Sequence, residues 1–223
     1  YNPKNNDYWA LDYEVFLGHG FTMGLGTFKN RFDIGGEFAA NQIAAETTNR
    51  SLYLEKSFIR SRQENLSSKL SLTQKTSRTT TAAAQTNIDR LSVLELEMNY
   101  DSVDTFHPLR PIIQKIMPAK FKNSIPDGFG GGLNFVTVAY GRGFNDIFGA
   151  MGSSGDQIAG AANSRTSRRG NTADELASGQ FDKVTANYQR LQLMTRNTSL
   201  LFRTEFQWSN DLLVPLEQYS VGG

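Results

Sequence analysis

The 223-residue chain carries 23 basic and 22 acidic residues, a formal charge of +1, so it lacks the strongly basic footprint of a protein whose main partner is nucleic acid. It has no cysteine, which excludes a disulfide framework, a thiolate metal site and a cysteine nucleophile. No run of roughly 18 apolar residues marks a membrane helix and the mean hydropathy is −0.43, yet a transmembrane barrel, which turns half of each strand to a wet lumen, passes both tests.

The first element, WALDYEVFL, alternates with period two: Trp9, Leu11, Tyr13, Val15 and Leu17 share one face of a strand, Asp12 and Glu14 the other. A tight Gly18–His19–Gly20 turn leads to a weaker alternation over residues 21–33, and the small-residue-rich GGEFAANQIAAET leads to a third over residues 48–59. After a short joint at Ser61–Gln63, Leu66, Leu70 and Leu72 oppose Ser67, Lys69, Ser71, Thr73 and Lys75, and TSRTTTAAAQTN reads as a long connection. Leu94, Leu96, Met98 and Tyr100 then oppose Glu95, Glu97, Asn99 and Asp101, a sorting that no helix produces.

Residues 107–128, HPLRPIIQKIMPAKFKNSIPDG, are long where a short turn is due, and residues 112–122 are predicted to form a brief helix between prolines. GFGGGLNF lacks the Lys-Ser/Thr of a phosphate loop, so its glycines read as a close-packed entry into a strand over residues 132–143. Residues 145–180 have the composition of a flexible loop, with a basic SRTSRRG cluster. The alternation over residues 181–194 changes phase at Gln189–Arg190, which predicts a bulge. After a turn at Thr195–Asn197, Leu200, Phe202, Phe206 and Trp208 oppose Arg203, Glu205 and Gln207.

This pattern predicts an all-β fold of about eight antiparallel strands, each of roughly 9–14 residues against the usual 5–6. Short and long joints alternate, as they do in outer-membrane barrels. The polar rows fit either the solvated face of a soluble sandwich or a barrel lumen; strand length and joint alternation favour the lumen. Its expected lining is Lys69, Glu95, Glu97, Asp101, Lys183, Arg203, Glu205 and Gln207, a mixture of both signs that predicts no strong charge preference. Tyr8, Trp9, Tyr100, Tyr140 and Trp208 suit interface girdles, although ordinary β-propensity explains them too. His19 and His107 have no partner at catalytic spacing, so the chain is not read as an enzyme, and no cofactor or metal is expected.

The closing FQWSNDLLVPLEQYSVGG resembles a segment of the two-partner-secretion transporters of the haemolysin-activator type, in which Gln, Leu and Glu-Gln-Phe-x-x-Gly-Gly follow at short gaps. The matching positions are Gln207, Leu212 or Leu213, Glu217, Gln218, Tyr219 in place of Phe, and Gly222–Gly223. LYLEKSFIRSRQENLSSKLSL is similar to that family's strand, Ile-Arg-Ser-Arg, Asn-Leu, strand hairpin, and FDKVTANYQRLQLM is a weaker match. The resemblance implies that residues 1–223 are the central portion, about 8 of 16 strands, of an antiparallel transmembrane β-barrel of the outer-membrane Omp85 class. Two periplasmic POTRA domains would precede it and the C-terminal strands would follow. It implies passage of a secreted exoprotein across the bacterial outer membrane without ATP, with membrane lipid and lipopolysaccharide as surroundings. It also makes Glu217, Gln218, Gly222 and Gly223 the root of a lumen-plugging loop whose Val-Arg-Gly tip lies outside the chain. The alternatives are another barrel of that class or a porin, a soluble β-sandwich adhesin, and a barrel enzyme.

Overall fold

The computed structural model describes residues 6–33, 43–81, 84–104, 131–159, 166–168, 175–195 and 198–218. Eight strands form one sheet in which each pairs antiparallel with its sequence neighbour: β1 (Asn6–Gly18), β2 (Phe21–Asp33), β3 (Ala44–Arg60), β4 (Glu64–Thr81), β5 (Ala84–Asp104), β6 (Gly132–Phe144), β7 (Phe181–Thr195) and β8 (Thr198–Ser209). The strands run from 12 to 21 residues, longer than alternation alone indicated.

Register and alternation together sort every side chain onto one of two faces. One rung reads Val15, Met23, Leu54, Leu70, Leu96, Tyr140, Val184, Trp208, apolar across all eight strands. The adjacent rung on the opposite face reads Glu14, Gly24, Tyr53, Ser71, Glu95, Gly141, Lys183, Ser209. The apolar rung is no packed interior: Met23, Leu54, Leu70, Leu96, Tyr140 and Trp208 are 40–52% exposed.

The apolar band crosses the rungs obliquely. Relative to the Val15–Trp208 rung, its lower edge lies one rung down at Leu17 on β1 and four down at Leu200 on β8. Its upper edge lies three rungs up at Trp9 on β1 and on the rung itself at Trp208 on β8. Both edges thus fall by three rungs over seven strand spacings, which at about 6.7 Å per two residues and about 4.8 Å between strands inclines the band by roughly 30°.

Three expectations are corrected. The Thr-rich run read as a long connection continues β4 and β5 until Thr81 pairs with Ala84, because β-branched residues suit a paired ribbon. No bulge interrupts β7 at Gln189–Arg190: β6–β7 pairing is continuous and the β7–β8 shift falls at Leu193/Thr195. The phase change arises because Arg190 and Gln192 turn polar groups onto the apolar face, where Arg190 Nη1 and Nη2 donate to the Asp104 carboxylate at 2.7 and 3.0 Å. Gly132 makes room for them, since a Cβ there would stand 2.6 Å from Arg190 Nη2. Finally, the described parts of the 145–180 connection dock onto the sheet. The Met151 N–H donates to the Arg90 carbonyl (2.9 Å), Ser92 Oγ to the Ile147 carbonyl (2.8 Å), and Thr166 Oγ1 and the Ser167 N–H to the Asp89 carboxylate (3.0 and 2.8 Å). The helix expected over 112–122 lies outside the described residues.

The buried core sits on the polar face, at the end of the sheet from which the β2–β3 and β6–β7 connections leave. There Leu91 and Val93 of β5 and Phe181 of β7 meet Met151, Ala177, Leu213 and Val214 from the returning chain. Gly143 of β6 opens the space, for a Cβ there would lie 2.3 Å from the Gly179 carbonyl and 2.5 Å from the Phe181 ring. Gly143→Ala should therefore cost about 1–3 kcal/mol in overpacking. Gly141→Ala, whose Cβ would meet nothing nearer than 3.4 Å, should cost far less. Thermal unfolding followed by circular dichroism reads the difference; equal midpoints would contradict the packing.

Candidate functional site

Beyond β8 the chain turns back over the polar face. The Asn210 N–H donates to the Asp182 carbonyl (3.2 Å) and Asn210 Oδ1 accepts from the Asp182 N–H (2.7 Å), which ties the turn to β7. Leu213 and Val214 then enter the apolar cluster, and Pro215 opens a 3-10 turn, Pro215–Glu217, in which the Glu217 N–H donates to the Val214 carbonyl at 2.9 Å. Proline suits that first position because its φ is already helical and its missing N–H would have had no partner.

The turn delivers the Glu217 carboxylate between two strands that are not neighbours. Lys75 Nζ of β4 lies 2.6 Å from Oε1 and Lys183 Nζ of β7 lies 2.6 Å from Oε2. The Glu217 side chain is fully buried, while those of Lys75 and Lys183 are 22% and 10% exposed. Gln207 of β8 donates from Nε2 to the Glu217 carbonyl (2.6 Å), and Gln218 Nε2 donates to the Leu213 carbonyl (2.7 Å), closing the segment on itself. Residues 210–218 therefore form a strap across the polar face, held by hydrophobic contact along its middle and by an ion triad near its end. A buried carboxylate carries a large desolvation cost, which two charge-assisted contacts offset.

The eight residues expected to line a lumen all face the same side as the strap. Lys69 stands opposite Glu97 across the β4–β5 ladder, and Ser71 opposite Glu95. A depression of about 230 Å³ beside the triad is lined by Lys69, Lys75, Glu95 and Glu97, among others. Lys69 Nζ also sits 4.1 Å from the Tyr53 ring centre, and the Tyr53 hydroxyl donates to Glu14. Asn65 Nδ2 donates to Asp101 (2.8 Å), and Arg203 pairs with Glu205 on β8. Lys183 is drawn out of this open lining by Glu217. The balance of charge on the face departs from the mixed lining expected: the acids Asp12, Glu14, Glu55, Glu95, Glu97 and Asp101 outnumber the bases Arg60 and Lys69 outside the triad and the Arg203–Glu205 pair.

Of the expected loop root, Glu217 and Gln218 are in the strap, and Gly222 and Gly223 lie outside the described residues. Alternation put Lys75 on the polar face, but nothing in the sequence pointed to its pairing with a residue 142 positions later. Among the aromatics expected at interfaces, Trp9, Tyr100, Tyr140 and Trp208 lie on the apolar face, whereas Tyr8, in the alternate register, faces the polar side. His19 occupies the β1–β2 turn with a φ of 51° and is exposed, and no group of three or more metal-ligating side chains occurs among the described residues.

Glu217→Gln should leave two ammonium groups facing a neutral amide and weaken strap docking by about 3 kcal/mol. Combining it with Lys75→Met and Lys183→Met, which removes the stranded charges, should recover most of that loss. Protease cleavage within 210–218 of the folded full-length protein measures docking, and a single variant as resistant as the parent would refute the role of the triad. Comparison with known proteins finds no protein-family model that matches the chain, no matching curated protein and no matching solved structure.

Proposed function

We propose that the chain is part of an outer-membrane β-barrel that conducts an extended exoprotein in two-partner secretion. The observation that carries this reading is the inversion of the sheet: the face with the continuous apolar rung lies open, while the face with the charges holds the buried core and the strap. A soluble sandwich places its core between apolar faces. A lipid-facing barrel wall needs the reverse, with every backbone group paired along the ladder.

The slope of the apolar band supports the same reading. Barrel strands tilt by roughly 35–45°, so a level lipid belt must cut obliquely across their rungs, and an inclination of about 30° is near that requirement. Along the slope Trp9 of β1 and Trp208 of β8 come to one level, as a girdle requires. The short β1–β2, β3–β4 and β7–β8 turns leave from one end, which we read as periplasmic, and the long β2–β3 and β6–β7 connections from the other; the long β5–β6 connection and the two-residue β4–β5 joint depart from this alternation.

Secretion, rather than simple permeation, rests on the resemblance of the closing segment and of residues 52–72 to the transporter family. The strap adds to it: the segment that resembles the root of a lumen plug is the one that lies across the polar face. A porin would share the ladder without that segment. The polar face would then offer a moving polypeptide hydrogen-bonding side chains and a predominance of carboxylates.

Leu96→Arg, at mid-band, should destabilise the bilayer-inserted protein by about 2–4 kcal/mol, whereas at a water-facing position the same change should stay within about 0.5 kcal/mol. The denaturant midpoint of the protein in vesicles measures this, and an unchanged midpoint would sink the lipid-facing assignment. Deletion of the gene should leave its exoprotein partner inside the cell, as read by immunoblotting of culture medium against periplasm. Normal release into the medium would rule out the transport role.

A further inference from the structure

The open face is electrostatically uneven. Toward the short-turn end, the described basic groups borne by the strands on this face are engaged: Arg190 is held by Asp104 and by Gln192 Oε1 (2.7 Å from Nη2), and Lys56 donates to the His19 carbonyl and lies over the Phe21 ring at 4.1 Å. At the opposite end, just above the apolar band, one rung reads Trp9, Lys29, Thr48, Thr76, Arg90 across β1–β5. Arg50 of β3 is one rung below and Arg78 of β4 one rung above. Arg50, Arg78 and Arg90 are exposed and form no ion pair among the described residues; Lys29 pairs with Glu46 at 2.9 Å, and Glu46 stands opposite Arg78. Beside this arc, a groove of about 850 Å³ runs over β1–β3, its apolar half lined by Trp9, Leu11, Tyr13 and Leu25 and its polar half by Lys29, Arg50, Thr48 and the Glu46 carboxylate that pairs with Lys29.

We infer that this groove and arc bind a bisphosphorylated glycolipid of the lipid A type, with an acyl chain along Leu25, Tyr13 and Leu11 and the phosphates among the four cations. Charge complementarity and width select this occupant. Lys29 and Arg90 share a rung three strand spacings apart, about 14 Å, which is too wide for one phosphate to bridge and suits a headgroup with two. The Thr48 and Thr76 hydroxyls lie between them on that rung as further hydrogen-bond partners. Trp9 stands at the boundary between the apolar and basic halves, where an amphipathic ring is favoured. Among the described residues of this face, the cations without an ion pair gather at that end, which matches a membrane whose two leaflets differ in anionic lipid. The inference rests on the barrel reading, under which the end of the β2–β3 and β6–β7 connections faces the outer leaflet.

The test uses the full-length protein, inserted in vesicles and then extracted in detergent with bisphosphorylated lipid A, monophosphorylated lipid A or phosphatidylglycerol, with retained lipid measured by native mass spectrometry. Bisphosphorylated lipid A should be retained best. Arg50→Gln combined with Arg90→Gln should lower its retention by about a hundredfold, since each charge-assisted contact is worth about tenfold or more. Arg142→Gln, on the same face but beside Asp182, should leave retention unchanged. Equal retention by the parent and the double variant, or equal retention of monophosphorylated lipid A or phosphatidylglycerol, would overturn the site while the barrel reading stands. Failure of the parent protein to insert in vesicles would overturn both.

Discussion

Everything in this molecule depends on an unbroken antiparallel ladder. Because side chains alternate strictly along each strand, and each strand pairs with its sequence neighbour in a nearly continuous register, the choice of face made in β1 propagates to β8. A one-residue slip at any of the seven interfaces would turn the apolar rows of the following strands onto the charged side. The register shifts that do occur, at Phe16/Gly18, Ser57/Ile59, Thr79/Thr80 and Leu193/Thr195, all lie near strand ends, where few residues remain to be misplaced.

The ladder leaves the molecule with an unusual division of labour. Its widest apolar surface supplies no core, and its only cluster of fully buried hydrophobic residues among those described is small and local, gathered where the chain returns over β5–β7. Two pieces of returning chain, around Met151 and around Leu213–Val214, join one buried cluster with Leu91 and Val93 of β5, so the connection after β6 and the strap after β8 share a core. The ion triad then fixes what the apolar contacts alone would leave free to slide. Hydrophobic burial is not directional, whereas a carboxylate with one ammonium group at each oxygen has a single seat.

Much of this was legible in the sequence, for a physical reason: period two is a property of the residues themselves. It placed Leu94, Leu96 and Met98 on one side and Glu95, Glu97 and Asp101 on the other without reference to any partner strand. The connections were less legible. The Thr-rich run after Lys75 has the small polar composition of a loop, and only pairing with β5 makes it strand. The break at Gln189–Arg190 was visible, but its cause was not, since a bulge and a polar group turned outward toward Asp104 leave the same mark. The least legible feature was the seat of Glu217. Its partners come from β4 and β7, and no local pattern encodes a contact that requires five strands, β4 to β8, and a turn to be in place first.

The triad also has a mechanical meaning. Lys75 and Lys183 belong to strands three spacings apart, so Glu217 joins them as a tie joins the two sides of an arch, with β5 and β6 as the span between. A sheet can flatten or tighten its curve at little cost in hydrogen bonds, but here any flattening between β4 and β7 pulls directly on two ion pairs. Under such a load Lys75, the more exposed partner, has water at hand to replace the carboxylate and yields before Lys183. The curvature of the sheet between β4 and β7 thus has a set value and a defined place to give way.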